Sequence, residues 1–173
     1  MKNEMNLKRL CQMQRVLDDR IVNEHKLEDL DLEENIILAL LVEISELANE
    51  TRCFKHWSTK GPSENHVLLE EYVDSLHFFL SIANHNEYEV DRLLELYTND
   101  FKQQEEEKSL VSAFIHVTEK IITMKSTKAV FHYVEAFSAY LDLGRMLGFS
   151  TEEIEQAYVR KNEINHQRQD NGY

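Results

Sequence analysis

Wound as a helix, the segment VLLEEYVDSLHFFLSIA (residues 67–83) is apolar in nearly every direction, because Leu68, Leu69, Tyr72, Val73, Leu76, Phe79, Leu80 and Ala83 cover most of its circumference. A helix of this kind needs neighbours on all sides, and the rest of the chain offers helices. Amphipathic 3.6-residue periodicity recurs over residues 6–22, 32–54, 66–83, 90–101, 109–124, 129–147 and 151–167. Four Gly and one Pro in 173 residues leave too little turn chemistry for a β architecture. The expected fold is all-α, a helical bundle.

Breaks between the segments carry the usual punctuation. STKGPSEN (residues 58–65) holds the only Pro beside a Gly and reads as a loop. Ser150 with Glu153 three residues later forms a capping box that starts the last helix. QQEEEKS (residues 103–109) reads as a solvated charged connection. No repeat, low-complexity tract or composition shift divides the chain, so residues 1–173 are expected to form one domain.

Apolar residues make up 42% and charged residues 29%, a composition that excludes disorder and membrane residence. A formal charge of −13 argues against nucleic-acid or anionic-membrane binding, which needs surplus Lys and Arg. One phosphorylated small molecule remains compatible. Cys11 and Cys53 form neither a CxxC motif nor a disulfide framework, and the first residues lack the apolar region of a signal peptide. The longest apolar run, residues 36–42, is too short to span a bilayer. The expected location is the cytoplasm.

The acidic residues are placed oddly for mere solvation. In LVEISELANETRCFKHW (residues 41–57) the buried stripe of the second helix is expected at Ile36, Leu40, Ile44 and Leu47. Glu43 and Glu50 fall roughly 60° to 80° from Leu40 and Glu46 about 120° away, along the edge of that stripe. On the third helix Glu71 and Asp74 share one side, three residues apart. Two helices with acids at i and i+3 can direct four carboxylates, Glu43, Glu46, Glu71 and Asp74, into one space. Such a quartet suits a hard divalent cation, above all Mg²⁺, whereas no Cys or His stands at paired spacing for zinc. The competing reading is a pair of solvated helix faces. His77, one turn beyond Asp74, reads as a structural histidine.

Lys161, Asn165 and Arg168 lie at i, i+4 and i+7, on one face of the last helix. Two cations and an amide on one stripe form a phosphate clamp. The alternative is a set of cations complementing the helix dipole.

EISELANE…FKHW, followed by EEYVDSLHFFL with Glu43 and Glu71 28 positions apart, closely resembles the dimeric all-α dUTP pyrophosphatases, a branch of the MazG-like NTP pyrophosphatase superfamily. MQRVLDDRI near the start and YVRKNEINHQRQDNGY at the finish extend the resemblance across most of the chain. The resemblance implies a bundle with a four-helix catalytic core and a dUTP diphosphatase that releases dUMP and pyrophosphate with Mg²⁺, acting on dUDP as well. It implies metal ligands at Glu43, Glu46, Glu71 and Asp74, with cations neutralising the triphosphate and activating a water. Glu43 is the chosen general base. It also places Gln14, Asp18, Trp57 and Phe78 around the nucleoside; family members often carry Asn where this chain has Asp18. Core packing is the alternative for both aromatics.

A homodimer is expected from the resemblance, with AVFHYVEAFSAYLDLGRML (residues 129–147) as interface or as core. Two other functions stay open. One is a sibling pyrophosphatase for another nucleotide such as dCTP. The other is a phage-type regulatory protein with a protein partner and secondary catalysis.

Overall fold

The computed structural model describes residues 5–100 and 109–172. Among the described residues there are seven helices and no strand: α1 (Leu7–His25), α2 (Glu33–Thr51), α3 (Asn65–His85), α4 (Val90–Asp100), α5 (Leu110–Thr127), α6 (Val130–Met146) and α7 (Thr151–Asp170). The expected segments at residues 103–108, Phe101 and Tyr173 lie outside the described residues.

α3 is the hub. It packs against α1, α2 and α7, and α1 also meets α7, while α2 packs on α5 as well. Leu68, Leu69, Tyr72, Val73, Leu76, Phe79, Leu80 and Ala83 are all buried, as an all-round apolar helix requires.

α6 lies over α3 through two tyrosines. Tyr72 and Tyr140 stack at 4.4 Å between ring centroids, and each hydroxyl donates to the other's backbone carbonyl, at 3.3 Å from Tyr72 and 2.7 Å from Tyr140. Tyr133 adds a third such bond, to the carbonyl of Phe79 at 3.2 Å. These phenols place apolar rings in the core while satisfying their own hydroxyls. Gly144 makes room for them, since a Cβ there would fall 2.6 Å from Cζ of Tyr72. The segment at residues 129–147 is therefore chiefly core, with Tyr133, Val134, Phe137, Tyr140 and Leu143 all buried.

The stripe of α2 is offset by one residue from its expected start. Ile37, Leu40, Ile44, Leu47 and Thr51 are buried, and Ile36 is only half-buried. Steps of three and four average close to the helical period and keep these five on one side.

α2 also stops three residues short of Phe54. Arg52 turns left-handed (φ 57°) and its N–H closes onto the carbonyls of Ala48 and Asn49. The Arg52 side chain then holds the following loop through Ser58 Oγ at 2.6 Å and the Lys60 carbonyl at 3.2 Å. Apolar Cys53 and Phe54 continue the periodicity in sequence, but they lie beyond the helix. The capping box of α7 is present, with Ser150 Oγ accepting from the N–H of Glu153 and the Glu153 carboxylate accepting from that of Ser150.

No helix among the described residues is long and apolar enough to cross a membrane.

Candidate active site

Where α2 and α3 face each other, Glu43, Glu46 and Glu71 each bring a carboxylate oxygen within 4.8 Å of the others. The i, i+3 spacing on α2 puts Glu43 and Glu46 on one side of the helix, and the apolar stripe beside them presses that side onto α3. Asp74 is not part of this trio. Its Oδ2 accepts from Lys161 Nζ of α7 at 2.7 Å, and the same ammonium reaches Glu70 at 3.3 Å.

Electrostatics records the crowding. Burial, then the charges of Asp74, Glu46 and Glu71, push Glu43 up to about 7, with Lys161 pulling the other way. Glu71 is raised by burial and then by Asp74 and Glu46. Asp74 is raised by burial despite its bond to Lys161. Burial alone would lower the Lys161 ammonium, but Asp74 and Glu70 overcome it and leave it raised. One cation thus serves more carboxylates than it can neutralise. Three convergent carboxylates without Cys or His are the donor set of a hard divalent cation, so the residues present fit Mg²⁺.

Glu50, the third acid of residues 41–57, has a different partner. Its carboxylate accepts from Ser63 Oγ, and its carbonyl accepts from the Ser63 N–H at 3.0 Å. It latches the loop at residues 52–64 onto the end of α2.

Lys161, Asn165 and Arg168 form the expected stripe on α7, graded from buried Lys161 through half-buried Asn165 to exposed Arg168. Arg168 donates to Asn165 Oδ1 at 3.3 Å, and its charge reaches Asp74. The stripe therefore leads from the carboxylates outward to solvent.

The nucleoside candidates divide. Gln14 and Asp18 of α1 meet through Gln14 Nε2 and Asp18 Oδ1 at 2.8 Å, and both bond to Ser81 of α3. Burial pushes Asp18 up to about 6, against bonds from Gln14, Ser81 and Asn84. Phe78 is half-buried against the core. Trp57 stands apart in the loop after α2, 67% exposed, with its ring edge-on to His56 at 5.0 Å and Phe54 at 6.0 Å.

Three participants escape a reading by spacing. Glu70 shares Lys161 from an exposed position, and Asn162 is buried with an unpartnered Nδ2. His77 does more than pack: its Nδ1 lies 2.6 Å from Gln14 Oε1, its ring stacks on Tyr158 at 4.2 Å, and its buried Nε2 has no partner. Burial, aided by Lys161, lowers its pKa to about 3 and keeps it neutral. The sequence signal available was three uncharged polar residues, Ser75, His77 and Ser81, set among the apolar positions of α3.

A comparison with individual curated proteins gives no match. A protein-family model described as dUTPase matches residues 6–173, nearly the whole chain. That family is all-α, as this chain is, and its activity is hydrolysis of dUTP. The chain belongs to the dUTPase family.

Proposed function

We propose that this dUTPase hydrolyses dUTP, and also dUDP, in a Mg²⁺-dependent reaction at the carboxylate cluster between α2 and α3. The observation that carries the reading is the 4.8 Å convergence of Glu43, Glu46 and Glu71 beside the Asp74–Lys161 pair. Glu43, Glu46, Glu71 and Asp74 would hold the cation. Bound there, it supplies charge neutralisation for the phosphates and makes water more acidic.

The protein's own groups supply the rest. Glu43, whose carboxylate a bound cation would favour in its ionised form, can accept a proton from the attacking water. The water oxygen bonds to phosphorus while the phosphoanhydride P–O bond breaks, and dUMP separates from pyrophosphate when the substrate is dUTP or from orthophosphate when it is dUDP. Lys161, Asn165 and Arg168 line the path on which the phosphate chain would lie, with Lys161 as a point charge and Arg168 able to bind two oxygens. Gln14, Asp18, Trp57 and Phe78 are the nucleoside side of the proposal, joined by His77 and Asn162, whose unpartnered buried atoms favour a ligand nearby.

A homodimer belongs to the same reading. Val111, Ile115 and Ile122 line an exposed face of α5, and Leu38 and Val42 an exposed face of α2, which packs on α5. The free thiols of Cys11 and Cys53 fit a reducing cytoplasm.

The test is product analysis with dUTP and with dUDP, in Mg²⁺ and then in EDTA, alongside light scattering for mass. dUMP formed only with the metal, by a particle of twice the 20.5 kDa chain, is expected. Equal turnover in EDTA would overturn the metal assignment.

A further inference from the structure

Gln14 is saturated. Its Nε2 donates to Asp18 Oδ1 at 2.8 Å and Ser81 Oγ at 3.0 Å, and its Oε1 accepts from the Tyr158 hydroxyl at 2.7 Å and faces His77 Nδ1 at 2.6 Å. An amide has two orientations here, and its neighbours select one. Ionised Asp18 can only accept, so the nitrogen of Gln14 must face it. Ser81 agrees, because it accepts from Gln14 while donating to Asp18 at 2.8 Å.

The carbonyl oxygen of Gln14 consequently faces α3 and α7, and it can only accept. The proton between it and His77 must sit on Nδ1. His77 is neutral, so Nε2 keeps a bare lone pair. That atom is buried without a partner, in a side chain 4% exposed. A buried acceptor left unsatisfied costs free energy in the free protein and becomes a gain when a donor arrives.

We infer that Asp18 is a positioning residue: through Gln14 it holds His77 in the Nδ1–H tautomer, which presents Nε2 as a buried acceptor to a hydrogen-bond donor on the substrate's nucleoside. The inference rests on the nucleoside placement proposed above, and its donor is either the ring N–H of uracil or the 3′-hydroxyl. Asp18 and Gln14 thus belong to the nucleoside side through His77, without a bond of their own to the substrate. An amide at position 18 could either donate or accept, so it would leave the orientation of Gln14 undetermined.

The test is long-range ¹H–¹⁵N spectroscopy of the His77 ring in the ¹⁵N-labelled full chain, for the parent and Asp18→Asn, with kcat/KM for dUTP measured on both. The parent is expected to carry its proton on Nδ1. Asp18→Asn is expected to lose part of that population and about 10-fold in kcat/KM, with Mg²⁺ affinity unchanged. Adding dUMP should move the parent's Nε2 resonance. Its 2′,3′-dideoxy analogue assigns the donor, since a retained shift marks the ring N–H and a lost one the 3′-hydroxyl.

A parent His77 protonated on Nε2, an unchanged tautomer in Asp18→Asn, or no shift with dUMP would each overturn the inference. The parent spectra decide it even if the variant does not fold. Failure of the parent to hydrolyse dUTP would remove the nucleotide reading instead and leave the tautomer measurement standing.

Discussion

Glu46 and Lys161 sit on opposite sides of one charge balance. Glu46 adds to the repulsion around Glu43 and Glu71, and Lys161 relieves it at Asp74 and Glu70. Removing either should lower turnover by about 100-fold or more, since both charges serve the reacting phosphates. Their effects on folding should have opposite signs. Glu46→Gln in EDTA is predicted to be as stable as the parent or more stable by up to about 1 kcal/mol. Lys161→Met should be less stable by about 1–3 kcal/mol, because it strands Asp74 among like charges. Denaturant unfolding in EDTA measures both, and a Glu46→Gln protein that unfolds where the parent is folded would contradict the balance. The carboxylates were legible in sequence because i, i+3 spacing at the edge of an apolar stripe is a local pattern. The commitment of Lys161 was not, because its partners lie 87 and 91 residues away. Nor was the bond from Ser63 to Glu50, an acid that the quartet leaves out, because it depends on the chain folding back across the loop.

The junction of α3 and α6 is the element on which the site's geometry depends, since α3 carries Glu71 and Asp74 on one side and the tyrosine contacts on another. Two effects compete at Gly144. Helix propensity alone favours Ala over Gly by about 1 kcal/mol. The Cβ would press on the Tyr72 ring, though, and overpacking of this kind costs about 1–3 kcal/mol. Gly144→Ala is therefore predicted to lower the unfolding temperature, and a raised one would show that the ring shifts freely. Helix existence was readable throughout the described residues because apolar periodicity is a strong signal. The end of α2 was not, because apolar Cys53 and Phe54 extend the pattern past a left-handed Arg52 that no Gly or Pro announces. Trp57 is consequently in a loop, exposed, with His56 and Phe54 as ring neighbours.

For the whole molecule, the acid cluster links folding, pH and metal. The pKa of Glu43 in the folded chain, about 7, lies above its ordinary value of 4.5. The folded state thus holds that proton more tightly than the unfolded one, and the resulting stability is complete below about pH 4.5 and lost as the pH rises through about 7. Glu71, Asp74 and Asp18 are shifted in the same direction, and with Glu43 they outweigh His77, which is shifted down and works the other way below about pH 6.5. The metal-free protein is expected to melt at a lower temperature at pH 8 than at pH 5.5, and Mg²⁺, which favours the ionised carboxylates, should stabilise it more at pH 8. Melting curves at both pH values in EDTA and in Mg²⁺ check this, and a metal effect equal at the two would contradict it. The bundle was legible from one apolar helix that needed neighbours on every side. The polar relay through Gln14 and His77 was not, because it is assembled from three helices.

On the function proposed above, the carboxylates that converge between α2 and α3 make this dUTPase dependent on a metal and selective for dUTP. Pyrophosphate release from dUTP, dTTP, dCTP and UTP in Mg²⁺ and in EDTA tests this. Turnover confined to dUTP and abolished by EDTA is the predicted result. Equal turnover of dCTP or UTP, or turnover that survives EDTA, would contradict it.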